Sequence, residues 1–344
     1  MEKALVSIIV PVYNVAPYVE DCIKSVMHQT YDGPMECIVV DDCGTDDSMA
    51  IVERLISEYN GPIAFKTLQH THNYGLSAAR NTGMKVATGD YLFFLDSDDE
   101  LTDDCIEKLT EPLYKEWYDF VVGNVNCVKI LSTNQKKEIK DHLTLKIADK
   151  TVLTDSMILR TYRTGWNQTA WNKLYRADFI RQNKLSFKEG LVYEDNLWTF
   201  QIACIASSLS IVNHVTYIYK KREGSITYPF CRRKRVEALT TTIKEMSSFV
   251  EKNHINRVDV FPFFDNFFTN ILNYYSSSSI SVFVSKYKEL RPFIKYLVSC
   301  DIRYNHFHFM RFIRSIHYMM PTYIAPYWQF YIYYSLYSFI IRKY

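Results

Sequence analysis

The sequence predicts an α/β fold, a mostly parallel sheet with helices on both faces, followed by a helical, aromatic-rich C-terminal region. In the first hundred residues, short β-prone runs alternate with segments whose apolar residues recur at helical spacing. Acidic residues directly follow two of these runs, and the charge balance changes sign after residue 231. Such alternation is typical of parallel strands joined by crossover helices.

Four short runs are predicted as strands, because they are rich in β-branched or aromatic residues and are bounded by turn residues. They are Val6–Val12, Met35–Val40, Ile63–Leu68 and Tyr91–Leu95. The helices predicted between them are Val19–Gln29, a helix capped by Asp46 that runs to about residue 59, and Leu76–Ala87. Ligands of such sheets bind beyond the carboxyl ends of the strands.

Carboxylates lie at these carboxyl ends. Asp41 and Asp42 follow the second strand, and Asp96, Asp98 and Asp99 follow the fourth. Like charges this close repel one another, so the fold must supply a cation or strong hydrogen bonds. Mg²⁺ and Mn²⁺ take oxygen ligands, and paired carboxylates at a strand end can hold one against a substrate phosphate. A solvated acidic turn that caps the next helix is the alternative interpretation.

Three further segments carry polar groups suited to a site. Arg80 lies on the third predicted helix, where its guanidinium could fork onto a pyrophosphate. Glu194 and Asp195 are adjacent among apolar and aromatic residues, where burial raises a carboxylate pKa and favours a general base. The basic stretch Tyr219–Thr227 could close over a diphosphate. The alternatives are a surface ion pair, an acidic pair at a helix N-terminus and a solvated turn.

In this order, the segments PVYN, QTY, VDDCGTD, GLSAARN and DSDD resemble the nucleotide-binding half of family-2 glycosyltransferases, the inverting GT-A class. WNKLY, the Glu194–Asp195 pair and REGS resemble the acceptor-side and closing elements of that family. The resemblance covers roughly residues 5–230. It implies a GT-A catalytic domain over residues 1–230 and a separate helical region over residues 231–344.

The resemblance also implies which residues bind the donor, with Asp41 facing the base and Arg80 the phosphates. The donor-binding residues would be Pro11, Tyr13, Asn14, Asp41, Asp42, Arg80, Asp96, Arg222 and Ser225. Trp171, Asn172 and Lys173 would shape the sugar and acceptor pocket.

The catalytic and metal roles follow from the same resemblance. Asp195 would be the catalytic base, and Glu194 would support it or contact the acceptor. Asp98 would be the main ligand of Mn²⁺ or Mg²⁺, within a DXD motif whose first residue, Asp96, also approaches the metal. One position departs from the family pattern, because Cys43 stands where a glycine is typical. If that position needs a positive φ, Cys43 is strained and Gly44 takes over its duty.

The implied reaction transfers a sugar from a nucleoside diphosphate to a hydroxyl of a glycan or lipid-linked acceptor, in surface polysaccharide or glycolipid synthesis. UDP is the favoured carrier, GDP and dTDP stay open, and no nucleic acid partner is expected. A nucleotidyltransferase is an alternative, but PVYNVAPY lacks the glycine-rich basic loop that such an enzyme would show. A second alternative is a non-catalytic protein that binds a sugar nucleotide or a membrane. The intact acidic residues argue against this alternative.

The C-terminal region differs in charge from the rest of the chain. From residue 232 it carries 16 basic and 7 acidic residues, a net charge of +9, whereas the preceding residues carry 24 and 31, a net charge of −7. Residues 317–341 contain no Asp, Glu, Lys or Arg, but Pro321 and Pro326 interrupt them. An interfacial membrane anchor is favoured. A layer packed on the catalytic domain or on a dimer partner and a transmembrane span are the alternatives.

Two observations predict a cytoplasmic location, which includes the inner face of the cell membrane. The eight cysteines lack metal-ligand spacing and fit reduced, buried thiols. The N-terminal apolar run is too short for a signal peptide.

Helices are also predicted over Val236–Val250 and Phe261–Tyr275.

Overall fold

The computed structural model describes residues 3–130, 136–139, 143–155, 158, 165–222, 232–255, 260, 271, 274–275, 280–304, 320–321 and 323–328. Ser225 and most of the predicted helix Phe261–Tyr275 lie outside these residues. The chain divides into two compact units, Met1–Phe230 and Cys231–Tyr344.

The described part of the first unit contains one sheet. Its strands are β1 (Val6–Val12), β2 (Met35–Asp41), β3 (Ala64–Gln69), β4 (Tyr91–Phe94), β5 (Glu100–Leu101), β6 (Phe120–Ile130), β7 (Lys136–Glu138), β8 (Val152–Thr154), β9 (Lys173–Arg176) and β10 (Ser208–Lys221). The helices of the unit are α1 (Ala16–Met27), α2 (Ser48–Glu58), α3 (Leu76–Val86), α4 (Cys105–Thr110), α5 (Ala177–Gln182) and α6 (Asp195–Ile205), with a 3₁₀ turn over Glu111–Tyr114.

The order of the strands along the sheet is β3-β2-β1-β4-β9-β6-β10-β5, with β7 paired to β6 and β8 to β10. The four N-terminal strands are parallel to one another, as the alternating pattern predicts. β9 runs antiparallel between β4 and β6, whereas β10 is parallel to β6. The predicted α/β class is therefore confirmed, and beyond β4 the sheet is mixed.

Burial follows position in the sheet. Every residue of β1 is buried, because β1 is a central strand with helices packed against it. β3 is an edge strand, and all six of its residues are exposed or half-buried. The buried interior continues through β4 and β9. Because β1, β2 and β4 are parallel, their carboxyl ends lie at the same end of the sheet. That end is where the acidic segments lie.

The start of α1 and the start of α2 share one carboxylate. α1 begins at Ala16, three residues before the predicted start, with a proline in its first turn, where a missing backbone N–H costs little. Asp46, the predicted cap of α2, accepts a hydrogen bond from the Ser48 backbone N–H through Oδ1 and one from the Ala16 backbone N–H through Oδ2. Asp46 thus binds the N-termini of both helices.

The described part of the second unit is helical. Its helices are α7 (Arg232–Lys252), which contains the predicted Val236–Val250, and α8 (Ile280–Tyr304). An ion pair joins them, with 2.7 Å between Lys244 Nζ and Glu289 Oε1. Among the helices that the structure describes, none has both the length and the apolar character needed to cross a membrane.

Candidate active site

The acidic turn Asp96–Asp99, which follows β4, is hydrogen-bonded to a tyrosine on β10. The buried Tyr217 hydroxyl on β10 donates to Asp99 Oδ2 at 2.9 Å and accepts from the Asp96 backbone N–H at 3.2 Å. The Lys220 backbone N–H donates to Asp99 Oδ1 at 2.8 Å. Burial raises the pKa of Asp99 well above its ordinary value, and nearby Asp98 adds to the effect. Asp99 is therefore a buried structural anchor, which fixes the backbone that presents Asp96 and Asp98.

Asp98 forms an ion pair with an arginine at the end of β10. Arg222 Nε and one terminal nitrogen both lie 2.8 Å from Asp98 Oδ2. Asp98 Oδ1 accepts no hydrogen bond from the described residues. The Arg222 guanidinium also lies 4.7 Å from the centre of the Tyr18 ring on α1, a cation–π distance. The predicted metal ligand and the predicted diphosphate ligand thus contact each other.

Arg80 joins the acidic turn to the predicted catalytic pair. This fully buried guanidinium donates through Nη2 to Asp96 Oδ1 at 2.7 Å. Through Nη1 it donates to Glu194 Oε1 at 2.7 Å and to Asp195 Oδ1 at 2.9 Å. The ring of Phe187 lies 5.1 Å from the guanidinium carbon. The arginine predicted for the donor phosphates is therefore bound to three carboxylates in the structure.

The pKa values around Arg80 reflect burial first and charge second. Burial raises the pKa of Glu194 to about 7, and neighbouring Asp195 adds to the rise against the attraction of Arg80. Burial also raises the pKa of Asp96 to about 6, while Arg80 opposes it. Burial disfavours the charged form of Arg80, but the attraction of the three carboxylates outweighs it and raises the pKa of Arg80.

Asp195 is the first residue of α6, and it has one oxygen that stays available. Its Oδ1 accepts from Arg80, whereas Oδ2 accepts no hydrogen bond from the described residues. The side chain is 22% exposed, compared with 10% for Glu194. Tyr193 has a φ of 62°, a conformation that is rare for a bulky residue and that clusters at functional sites. The geometry suits Asp195 to accept a proton.

A pH titration of stability tests the raised pKa of Glu194. Because the folded pKa of about 7 exceeds that of the unfolded chain, the stabilising contribution is complete at low pH and is lost as the pH rises through 7. The unfolding free energy of the wild type should therefore decrease from pH 5 to pH 8. In Glu194→Gln we expect this decrease to be smaller by about 1–3 kcal/mol. Urea unfolding at both pH values measures this. Glu53→Gln, at an exposed position of α2, should follow the wild type; equal slopes in all three proteins would refute the assignment.

The carboxylates of Asp41, the last residue of β2, and of Asp42, which follows it, organise the surrounding loops. Asp41 Oδ1 accepts from the Gly44 backbone N–H at 3.0 Å, and Oδ2 accepts from Gln69 Nε2 at 3.0 Å. Asp42 accepts from the backbone N–H groups of Tyr74 and Gly75, at 2.8 and 2.7 Å, and lies 2.7 Å from a ring nitrogen of His70. Asp42 thus fixes the loop that leads into α3, and Asp41 shapes the turn after β2.

The remaining donor-side residues lie at the end of β1. Pro11 is buried within the strand, whereas Tyr13 and Asn14 follow it and are exposed. Asn14 Oδ1 accepts from the Thr45 backbone N–H at 2.7 Å, which joins the end of β1 to the turn after β2. These residues and Asp41 therefore line one edge of the sheet.

Cys43 adopts the left-handed conformation itself, with a φ of 60°, and Gly44 does not. The expectation that Gly44 takes over this duty is wrong. Gly44 is instead close to Asn14, since a Cβ there would lie 3.2 Å from Asn14 Oδ1 and 3.3 Å from the Asn14 nitrogen, so a side chain would need a small shift of Asn14.

Replacing Cys43 by Gly should stabilise the protein. We expect the unfolding free energy to rise by about 0.5–1 kcal/mol, because glycine has no Cβ penalty in this region of φ but loses more entropy on folding. Gly44→Ala, one position along, should act in the opposite direction. Chemical denaturation of both variants measures the pair, and a loss of stability in Cys43→Gly would contradict the strain.

The three residues predicted for the acceptor pocket are buried in the structure. Trp171 stacks on Tyr217 with 4.4 Å between ring centres. Asn172 Nδ2 donates to the Asn124 carbonyl at 2.8 Å, and Lys173 Nζ donates to the Thr169 carbonyl at 2.7 Å. Burial lowers the pKa of Lys173 to about 7, against the attraction of Asp195. In this structure these side chains support the site from behind.

A divalent cation fits the charge of the site. Within the described residues, no group of three or more His, Cys, Asp or Glu side chains is placed to hold a metal alone. The carboxylates of Asp96, Asp98 and the Glu194–Asp195 pair nevertheless outnumber the guanidinium groups of Arg80 and Arg222. Mg²⁺ is commonly held by one or two carboxylates together with substrate phosphates. Asp98 and Asp96 therefore suit a cation whose coordination a diphosphate completes.

Several residues of the site escaped the sequence analysis. Gln69 ends β3 and His70 follows it, so the rule that ligands bind at carboxyl ends of strands could have found them. Tyr18 lies in the first turn of α1, and Tyr217 lies within β10. Nothing in the sequence distinguishes either of these two from the other tyrosines of the chain.

Comparison with known proteins identifies the class. Residues 7–207, more than half of the chain, match the family model described as Glycosyl transferase family 2, and the chain belongs to that family. It is 31% identical over 231 residues to glycosyltransferase GlyA of Streptococcus pneumoniae, an alignment that covers 64% of the chain and 31% of GlyA. It is 32% identical over 225 residues to the uncharacterized glycosyltransferase EpsJ of Bacillus subtilis, which covers 65% of the chain and 63% of EpsJ. The matched part thus spans less than two thirds of either relative.

The fold has a close structural counterpart. The crystal structure of residues 1–349 of TarS from Staphylococcus aureus, in complex with UDP-GlcNAc, superimposes with a TM-score of 0.66. The superposition covers 98% of this chain and 92% of that structure, at 21% identity. It confirms the predicted GT-A fold.

Proposed function

We propose that this chain is an inverting glycosyltransferase that moves a sugar from a UDP-sugar to a hydroxyl of a glycan or lipid-linked acceptor. The observation that carries this proposal is the position of Arg80. Its guanidinium binds Asp96 of the acidic turn on one side and Asp195 on the other. A donor-binding carboxylate and a candidate base are thereby held on opposite sides of one rigid, buried group.

Asp195 is the proposed base. Its Oδ2 would take the proton of the acceptor hydroxyl, which attacks the sugar carbon as the bond to the diphosphate breaks. Arg80 holds Oδ1 and so fixes the orientation of the carboxylate. Glu194 shares the same guanidinium nitrogen and supports this arrangement. Proton removal by a positioned side chain contributes about 10²–10⁴-fold to rate.

The donor would lie along the carboxyl ends of β1, β2 and β4. The residues that would surround the nucleoside are Pro11, Tyr13, Asn14, Asp41 and Asp42. Of these, Asp41 would lie nearest the nucleobase. The carboxylate of Asp41 lies at the end of β2, where its Oδ2 accepts a hydrogen bond from Gln69 Nε2.

Asp96, Arg222 and Ser225 would face the ribose and diphosphate, and Trp171, Asn172 and Lys173 would support the sugar and acceptor side. Asp98, with Asp96, would hold Mn²⁺ or Mg²⁺, which when bound supplies positive charge against the departing diphosphate. Arg80 is placed as a positioning residue, because its guanidinium nitrogens Nη1 and Nη2 bind carboxylates.

The relatives support the substrate class and the pathway. The TarS structure was solved with UDP-GlcNAc, and TarS is named as a poly(ribitol-phosphate) β-N-acetylglucosaminyltransferase. By analogy, we place this chain in surface polysaccharide or glycolipid synthesis, on the cytoplasmic side of the membrane, with UDP as the nucleotide of its donor.

A donor panel tests this proposal. Thermal shifts are measured with UDP-, GDP- and dTDP-sugars, with and without Mn²⁺, in the wild type, in Asp98→Asn and in Asp178→Asn. Asp178 is 73% exposed and pairs with Arg181, so its variant is a charge-matched control. We expect a UDP-sugar to stabilise the wild type and the control in the presence of Mn²⁺, but not Asp98→Asn. A response to no donor, or an equal response in all three proteins, would contradict the proposal.

The C-terminal unit is proposed to contact the membrane surface. Tyr323, Tyr327 and Trp328 are exposed, Tyr323 to 70%, and tyrosine and tryptophan are enriched at membrane interfaces. The uncharged residues 317–341 that contain them are flanked by Arg311, Arg314, Arg342 and Lys343, and basic residues attract anionic lipid. We expect the full chain to sediment with anionic vesicles and Tyr327→Ser/Trp328→Ser to bind about tenfold more weakly. Tyr114→Ser, which removes an exposed tyrosine of the first unit, should bind as the wild type; equal binding of all three would refute the contact.

A further inference from the structure

We propose that Arg222 is an exchangeable counter-ion of Asp98, which leaves this carboxylate when a nucleoside diphosphate and its cation bind. The proposal rests on the proposed function and concerns how the same site is loaded. In the structure, the Arg222 guanidinium neutralises the carboxylate that would hold the cation.

The two contacts of Arg222 with Asp98 converge on a single oxygen. Nε and a terminal nitrogen both lie 2.8 Å from Oδ2, and the two side chains are only 14% and 22% exposed. Charge-assisted hydrogen bonds of this kind are stronger than neutral ones. A divalent cation on the same carboxylate would lie next to the guanidinium and repel it. Even on the other oxygen, Oδ1, a cation would lie close enough to the guanidinium to weaken its pairing, so Arg222 and a cation compete for Asp98.

Tyr18 gives the guanidinium a second contact that does not depend on Asp98. Its ring centre lies 4.7 Å from the guanidinium carbon, and it belongs to α1 rather than to the acidic turn. A planar guanidinium can stack on an aromatic face while its N–H donors point elsewhere. Arg222 can thus change its acceptor without losing all its contacts.

The backbone that leads into Arg222 is anchored to the acidic turn at Lys220. The Lys220 backbone N–H donates to Asp99 Oδ1 at 2.8 Å. The Lys220 ammonium, whose side chain is 1% exposed, pairs with Asp21 and Glu100. One residue, Lys221, lies between this anchor and Arg222. The acidic turn and the end of β10 are held together whichever partner Arg222 has.

The exchange makes cation and nucleotide binding cooperative. A cation that binds alone competes with the Arg222–Asp98 pair, and the free energy of that pair opposes its binding. When UDP binds as well, its diphosphate offers the guanidinium oxygen acceptors in a geometry that a fork of N–H donors matches. UDP should therefore strengthen Mn²⁺ binding in the wild type, and Mn²⁺ should strengthen UDP binding by the same factor.

The experiment is a titration of the full chain with Mn²⁺, followed by the electron paramagnetic resonance signal of the free ion, with and without UDP. The variants are Arg222→Gln and, as a control, Arg54→Gln, which removes a surface arginine paired with Glu20 and Glu58. We expect Arg222→Gln to bind Mn²⁺ alone roughly tenfold more tightly than the wild type, and to gain less from UDP. Arg54→Gln should match the wild type in both titrations.

The outcomes separate this proposal from the proposed function. Asp98→Asn, titrated with UDP, shows whether Mn²⁺ binds at Asp98 at all. If it abolishes binding while Arg222→Gln leaves the affinity for Mn²⁺ alone unchanged or weaker, the exchange is refuted and the metal site stands. If Mn²⁺ binds no variant, or binds Asp98→Asn normally, both the metal assignment and the exchange are refuted. Should Arg222→Gln fail to fold, Arg222→Lys replaces it, with a smaller gain expected because an ammonium cannot fork.

Discussion

Asp195→Asn should lower kcat about 10²–10⁴-fold and leave the fold intact, because an amide cannot accept the proton of the acceptor hydroxyl. The amide oxygen can still accept the bond from Arg80 that Oδ1 now accepts. Packing around the position should not change, since the two side chains have nearly the same shape. The measurement is the rate of UDP release from the donor, alongside a thermal melt.

Asp178→Asn provides the matched control, since it makes the same chemical change at an exposed position of α5. Its rate should equal that of the wild type. A rate for Asp195→Asn within threefold of the wild type would rule out Asp195 as the base. A variant that melts far below the wild type would instead indicate a structural role.

Arg80→Met should cost about 3–5 kcal/mol of stability, because it leaves buried carboxylates without their cation. Asp96, Glu194 and Asp195 would then repel one another in a poorly solvated position. The cost should be larger at pH 8 than at pH 5. The raised pKa values of Asp96 and Glu194 mean that both are protonated more readily as the pH falls, which relieves the repulsion.

Urea unfolding at the two pH values measures this effect. Arg54→Met, at a half-exposed position of α2, should change stability by less than about 0.5 kcal/mol. Activity should also be lost in Arg80→Met, since Asp195 would no longer be oriented toward the donor side. A stable, active Arg80→Met protein would show that the buried guanidinium is dispensable.

The sequence was most informative where one local rule decides the structure. The first four strands and the helices between them are predicted within a few residues, because short apolar runs and helical periodicity act over neighbouring positions. The acidic residues at the ends of β2 and β4 lie at one edge of the sheet because parallel strands share a direction. Position and residue type together therefore sufficed to predict that these carboxylates lie at the same end of the sheet.

Contacts between segments that are distant in the sequence could not be predicted. The sequence offers no indication that β9 runs antiparallel between β4 and β6, since pairing direction depends on where the preceding chain crosses the sheet. Nor could the partners of Arg80 be predicted, because a guanidinium binds whichever anions the fold brings to it. The burial of Asn172 and Lys173 likewise follows from their place at this central strand, which their polar character concealed.

The most direct test of the proposed inverting mechanism uses water as the acceptor, so that the natural acceptor need not be known. The donor is the UDP-α-sugar that stabilises the protein most, and proton NMR records the anomer that is first released, before mutarotation. The account predicts release of the β-anomer by the wild type and by Asp178→Asn, at a rate that Asp195→Asn reduces at least a hundredfold. Release of the α-anomer, or release of the β-anomer at an unchanged rate by Asp195→Asn, would contradict it.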